Sequence, residues 1–337
     1  MAALETAEQV SDIAFGFMGS KALFAALEVG VFTELSRQPS TAAQLAERTA
    51  VDADRAETLL TALAGLGLVV GEAGTYSNAP AAEAFLVKGA KHDFGDYLRL
   101  QVGRQMYGLL DQIDHALTDR LPEDATGSYA EWFSDPEQAR LYSRSQHAGS
   151  LGPARQVLRR VDLSGAHRLL DLGGGTGAFA ITLCAANQGL TATIVDFPNV
   201  AALGRDYLAE AGLSDRITYV EGNALDCDWP GDQDVVLMSY LFSGVPGEAH
   251  AGLLRQAYDS LAPGGRLLLH DFVVRADRSG PKLAALWQLQ HTAFTPRARS
   301  LDAGWLAEAL TAAGFTGVEI DDLIPEMTML AVAHKPA

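Results

Sequence analysis

Three glycines and two carboxylates carry the chemistry most legible in this chain. Asp171 lies near the end of a short apolar run, Arg168–Leu172, and Gly173, Gly175 and Gly177 follow before apolar residues resume at helical spacing. That order reads as strand, tight turn and helix. Glycine lets a ligand approach the backbone, and a helix beginning there directs its unpaired N–H groups at the ligand. Asp196 closes the next apolar run, Thr191–Val195, where a carboxylate is placed to accept from sugar hydroxyls.

The spacing fits two ligands. Gly173-x-Gly175-x-x-Ala178, with Asp196 about 20 residues on, satisfies the loose dinucleotide fingerprint. A pyrophosphate on that helix N-terminus would lie close to the Asp171 charge, which opposes it. S-adenosylmethionine has no phosphate and brings a cationic ammonium and a sulfonium, so Asp171 would attract its methionine end while Asp196 holds its ribose. The charges favour S-adenosylmethionine, with a dinucleotide as the alternative. A bare turn with no ligand fits poorly to three glycines beside two strand-end carboxylates.

The elements that must position these residues follow from patterning. At 337 residues the chain is long for one core, which predicts two domains, and 48% apolar content predicts a folded protein. A net charge of −17 argues against nucleic acid and against anionic membrane surfaces. Cys184 and Cys227 form no disulfide framework, and no apolar run reads as long enough to span a bilayer, so the cytoplasm is the expected location. Residues 1–90 read as helices followed by a short strand pair around Leu68–Val70 and Thr75–Ser77, a winged-helix-like unit. Its second helix opens with Asp52, Asp54 and Glu57 against one arginine, the wrong sign for DNA, so packing or dimerisation is its expected role.

Residues 91–155 read as a helical connector, rich in aromatic and polar side chains, that roofs a substrate pocket. Over residues 156–337 strands and helices alternate, which predicts a parallel α/β sheet. The strands are placed at Arg168–Leu172, Thr191–Asp196, Ile217–Glu221, Asp234–Met238 and Arg266–Phe272. Val318–Asp322 and Met327–Ala333 follow, joined too tightly for a crossover helix and therefore predicted to form an antiparallel hairpin, so that the sheet is mixed.

With these pieces in place, the sequence resembles the class I methyltransferases, and within them the caffeate and acetylserotonin type of small-molecule O-methyltransferase. The resemblance rests on Leu170–Gly177, Val195–Val200, Asp215–Ile217, Glu221–Asn223, Leu261–Leu269 and Ala313–Phe315, in order and at family spacing. It implies a Rossmann-like domain preceded by a winged-helix-like dimerisation domain, a homodimer, and methyl transfer from S-adenosylmethionine to a small hydrophobic metabolite. By the resemblance, Asp171, Gly173, Gly175 and Gly177 hold the methionine moiety, and Asp196 the ribose. Asn223 stands where the family usually has an aspartate beside the adenine, and its carbonyl still accepts from an amino group. Phe197 and Ala224, next to these, are expected cofactor contacts.

One departure concerns catalysis. The family usually follows the strand at Asp234–Met238 with Leu-His-Asp-Trp, whose histidine deprotonates the acceptor hydroxyl; this chain has Phe242 at the histidine position. A general base gives about 3 to 5 kcal/mol, whereas positioning gives about 7 to 11 kcal/mol, so positioning carries the reaction without it. Three routes stay open: an acceptor already acidic, a carbon nucleophile, or another base. His291 and His147 are the candidate replacement bases. Tyr240 reads as core, His270 and Asp271 as structural hydrogen-bonding residues, and His250 as solvated. No local spacing matches a metal motif, so no metal is expected. Met106, Phe242, Trp287 and Phe294 are the expected contacts to an apolar, aromatic or polyketide-like acceptor. O-methylation leads; C-methylation on an enol or aromatic carbon, or a non-transfer reaction on the same fold, is the alternative.

Overall fold

Polar caps begin the N-terminal helices where the sequence supplies them. In the computed structural model, which describes residues 3–120, 129–295 and 297–337 without the side chains of Glu131 and Phe294, Thr6 caps α1 (Ala7–Glu28). After α2 (Val31–Arg37), Thr41 forms a reciprocal box with Gln44 at the start of α3 (Ala42–Arg48), and Asp52 caps α4 (Ala53–Gly65). β1 (Val69–Glu72) and β2 (Thr75–Asn78) pair antiparallel, giving helix, helix and wing in that order. α5 (Pro80–Phe85) and a π-helix, Tyr97–Met106, complete a first compact unit that ends at Tyr107. Phe32, Leu45, Leu60 and Leu63 form its core.

α1 corrects one expectation. It is long and apolar enough to cross a membrane by length and composition, yet it leaves Val10, Ile13, Phe15, Phe17 and Met18 at least half exposed. An exposed apolar set of this kind has the character of an interaction surface.

The second unit, Gly108–Ala337, takes up the rest of the segment read as a connector, so that segment is divided between the two units. Short helices come first: α6 (Tyr107–Leu109, straddling the division), α7 (Ile113–Leu117) and α8 (Tyr129–Trp132). α9 (Pro136–Arg160) is started by Asp135, whose side chain accepts from the Glu137 and Gln138 N–H groups. The strands then follow as β3 (Arg168–Leu172), β4 (Thr191–Asp196), β5 (Ile217–Glu221), β6 (Gln233–Ser239), β7 (Leu261–Asp271), β8 (Thr316–Ile324) and β9 (Thr328–His334). Between them run α10 (Ala178–Ala186), α11 (Pro198–Glu210), α12 (His250–Ser260), α13 (Lys282–Phe294) and α14 (Ala303–Ala312).

The sheet order is β5-β4-β3-β6-β7-β9-β8, parallel through β7, with β9 antiparallel to both neighbours. Alternation along the strands builds two buried layers. Val236, Met238, Leu267 and Leu269 face α12 and α14, while Val235, Leu237 and Leu268 face α9 and α10. Each such side chain contributes about 1.5 to 3 kcal/mol, so a charge at Leu237 would break both the strand and the packing of α10. The chain leaves β3 for β4 and β5 on one side and returns to β6 on the other. That reversal opens a crevice beyond the carboxyl ends of β3 and β6, the usual ligand position in such sheets.

Candidate active site

Asp171 is followed by a turn in which Gly173, Gly175 and Gly177 take φ values of 63°, 59° and 82°, all in the left-handed region that favours glycine. Gly174 is needed for a different reason, one that the sequence does not display. A Cβ there would lie 2.6 Å from Asp171 Cγ and 2.9 Å from Ile194 Cγ2. The loop is therefore folded directly over the Asp171 carboxylate.

Asp171 is fully buried, and among the described residues neither of its oxygens has a partner at hydrogen-bond distance. Burial, and then the nearby Asp196 charge, push its pKa up to about 7, while the Ala180 N–H at the start of α10 pulls the other way. An unpaired buried carboxylate is unstable unless a cation reaches it. This site suits an ammonium group and opposes a pyrophosphate.

Asp196 is anchored differently. Its Oδ2 accepts from the Gly175 N–H at 2.7 Å and its Oδ1 from the Phe197 N–H at 2.8 Å. Burial raises its pKa to about 6, with those two N–H groups opposing the rise. Each oxygen keeps a further lone pair for a hydroxyl donor. Asn223 is oriented by its own loop: Oδ1 accepts from the Leu225 N–H at 3.0 Å and Nδ2 donates to Asp226 at 2.9 Å. One lone pair of its carbonyl stays available.

Asp171, Gly173, Gly175, Asp196 and Asn223, with Phe197 and Ala224, line a cavity of about 470 Å³, whereas Gly177, expected as a cofactor contact, does not line it. The same cavity has an aromatic stretch of wall, with Tyr129, Phe133 and Tyr142 packed at centroid distances of 5.1 to 6.0 Å and Phe133 5.8 Å from Phe197. α9 carries Tyr142, Gln146 and Ser150 one helical turn apart, so one face of it forms the wall. His147 lies on the same wall, its Nδ1 2.7 Å from Thr176 Oγ1 and its ring stacked 3.9 Å from Tyr207. Burial lowers its pKa to about 4, so the imidazole is neutral near pH 7.

Two of the four expected acceptor contacts, Phe242 and Trp287, lie off the cavity wall. Phe242 is fully buried, turned into the core in a stack 4.1 Å from His250, and does not line the cavity. His250, expected to be solvated, is 1% exposed, and its Nε2 donates to the Phe242 carbonyl at 2.8 Å. The turn Phe242–Gly244 buries its large apolar ring and holds the buried imidazole by a backbone carbonyl. Trp287 stacks 4.4 Å from Phe272, away from the cavity wall. Met106 belongs to the first unit, and the Phe294 side chain lies outside the described residues. Tyr240, read from sequence as core, lines the cavity with Leu241 and Val245, and its φ is 58°. The aromatics of α8 and α9 were legible only as a general roof.

His291 is buried and does not line the cavity. Its Nε2 lies 3.3 Å from Ser243 Oγ. Ser243 in turn donates to Asp271 Oδ1 at 2.5 Å, and Asp271 accepts the Ser243 and Phe272 N–H groups as well. Ser243 thus spends its proton on Asp271 and can only accept from His291, which assigns the hydrogen to Nε2 and leaves Nδ1 bare. Nδ1 has no partner among the described residues. Gly244 separates this ring from the cavity: a Cβ at 244 would lie 3.8 Å from His291 Cε1. His270 is structural, held between Ser239 and Thr328. Among the described residues no three His, Cys, Asp or Glu side chains cluster as a metal site would.

Comparison with known proteins agrees with this geometry. The family model of the O-methyltransferase domain matches residues 106–316, and that of the O-methyltransferase dimerisation domain matches residues 11–88. The 3-hydroxy-5-methyl-1-naphthoate 3-O-methyltransferase of Streptomyces sahachiroi is 31% identical over 280 residues, 83% of this chain and 81% of that one. The L-tyrosine C(3)-methyltransferase of Streptomyces lavendulae is 30% identical over 324 residues, 91% and 86% of the two chains. Human N-acetylserotonin methyltransferase in complex with SAM has the same fold, with a TM-score of 0.86 at 23% identity over the whole of both chains.

Proposed function

The chain belongs to the O-methyltransferase family and uses S-adenosylmethionine, and on that premise we propose that it methylates an acidic hydroxyl, a phenol or enol, on a small aromatic or polyketide-like metabolite. The observation that carries this reading is a cavity lined both by an unpaired carboxylate under a glycine loop and by an aromatic wall. S-adenosylmethionine, when bound, supplies an electrophilic methyl group on a sulfonium sulfur.

The protein's own residues do the rest. Asp171 binds the ammonium of the methionine end, Asp196 the ribose hydroxyls, and the Asn223 carbonyl the adenine amino group. Phe197 and Ala224 pack beside them. Tyr129, Phe133 and Tyr142 hold the acceptor ring by stacking and exclude water. His147 is the candidate to accept the acceptor's proton, since it is neutral and lies on the cavity wall. His291, though its Nδ1 is bare, lies behind Gly244 and off the cavity wall, so it is not placed to take that proton. Burial makes His147 a weak base, which is why an acidic hydroxyl suits it better than an ordinary phenol. The tyrosine C-methyltransferase relative and the burial of Phe242 away from the cavity favour one other reading, methylation of an enol or aromatic carbon.

The exposed apolar side chains of α1 lie within the segment matched by the dimerisation domain, save for Val10 just before it, and we infer that they form a homodimer contact. Two free cysteines, Cys184 and Cys227, suit a reducing cytoplasm.

The test is calorimetric titration with adenosylhomocysteine, NADH and NADP, followed by incubation with labelled methyl donor and a set of hydroxynaphthoates. Binding of adenosylhomocysteine alone, and label on oxygen, is the expected result. Label on carbon selects the second reading. Binding of a dinucleotide, or label that never leaves the donor, overturns both.

A further inference from the structure

Gly175 is held from both sides. Its N–H donates to Asp196 Oδ2 at 2.7 Å, and its carbonyl accepts from the Tyr219 hydroxyl at 2.9 Å. Tyr219 lies in the middle of β5, paired in register with Ile194 of β4, and reaches the loop past the flank of α11. It does so through a notch. A Cβ at Gly204 of α11 would lie 1.9 Å from the Tyr219 hydroxyl oxygen and 2.5 Å from Cζ. Gly204 is not among the glycines with positive φ, so its backbone does not require glycine; the phenol does. Glycine inside a helix is less stable than alanine by about 1 kcal/mol, and nothing in α11 itself offsets that.

We propose that Tyr219 is a positioning residue for the cofactor, acting through Gly175. The hydroxyl fixes the peptide after Gly175 while Asp196 fixes the peptide before it. Together they hold this glycine, the most freely rotating residue type, at its left-handed φ of 59°. Two groups of the site depend on that conformation: the Asp196 carboxylate, whose rotamer the Gly175 N–H sets, and Thr176, whose hydroxyl meets His147. Burial and the two neighbouring carboxylates keep the phenol protonated, so it stays a donor throughout the working pH range. This role rests on the reading that the loop binds S-adenosylmethionine.

The experiment is adenosylhomocysteine titration of the wild-type dimer first, then of Y219F, with melting temperature and saturated turnover measured alongside. Loss of one hydrogen bond predicts a Kd raised roughly 2- to 12-fold in Y219F, with kcat at saturating cofactor within about 2-fold. A merely structural tyrosine would lower Tm and leave Kd alone. G204A supplies an independent arm, since it displaces the phenol without removing the hydroxyl, and it should raise Kd at least as much as Y219F. In the Y219A background, where the clash is gone, G204A should add nothing. A wild-type Kd in Y219F overturns the proposal. Absence of binding in the wild type would instead overturn the cofactor reading on which it rests.

Discussion

Adenosylhomocysteine should bind more tightly as the pH rises from 6 to 8, because the group it needs is half protonated at neutrality in the free protein. Asp171 has its pKa pushed up to about 7 by burial and by Asp196. The cationic ammonium selects the ionised form, so apparent affinity follows the ionised fraction of the free protein. That fraction is about 0.1 at pH 6, about 0.5 at pH 7 and about 0.9 at pH 8, a change of roughly tenfold. Asp196, at about 6, adds a factor of about 2 over the same range. Binding at pH 7 should release about half a proton from Asp171, which calorimetry in two buffers of different ionisation enthalpy reads directly. D171N should bind about 10- to 150-fold more weakly at pH 8 and keep only the shallow dependence due to Asp196. The same charge acts on stability with the opposite consequence. A carboxyl whose folded pKa is raised stabilises fully below its unfolded value of 3.8 and loses that contribution as pH rises through about 7. D171N should therefore melt higher than wild type at pH 8 without ligand, with the gain shrinking toward pH 4. Flat affinity between pH 6 and 8, or proton uptake on binding, would refute the reasoning.

Three further outcomes are expected. F242H places an imidazole in a closed apolar site against His250, so thermal unfolding should show a loss of about 1 to 3 kcal/mol and no new activity on simple phenols; a gain of activity would mean that the position faces the acceptor. H147A should lower turnover by about 10² to 10³ while leaving adenosylhomocysteine affinity within a few-fold; unchanged turnover would remove His147 as the proton acceptor. Ile13→Asp with Phe17→Asp should convert a dimer to monomer in light scattering, and a dimer that survives both would remove α1 from the interface.

The sheet was legible because its strands announce themselves locally. β3, β4 and β5 begin and end where expected, since each apolar run is bounded by glycine, charge or a helix-starting proline. β7 starts five residues before its expected start at Arg266, because Leu261 pairs with Gln233, a contact that the intervening Pro263 and Gly264 conceal in the sequence. The cofactor end of the cavity was legible for a similar reason: strand-end carboxylates and left-handed glycines are fixed by short-range geometry. The aromatic part of its wall was not. Whether a loop aromatic faces a cavity or a core is decided by its packing partners, and Phe242 found His250 while Tyr129 and Tyr142 found each other across two helices. The notch between Gly204 and Tyr219 is likewise invisible until β5 and α11 lie side by side.

The wall helix α9 meets both the glycine loop and the aromatic cluster. Through His147 it touches Thr176 of the glycine loop, and through Tyr142, just over one turn earlier, it touches the aromatic cluster. A helix turn is stiff, so any shift of the loop on ligand binding would reach the aromatic cluster through α9. Coupling of this kind is equal in both directions. The two ligands therefore report on each other: the acceptor's affinity, measured with and without adenosylhomocysteine, and the adenosylhomocysteine affinity, measured with and without acceptor, must change by one common factor.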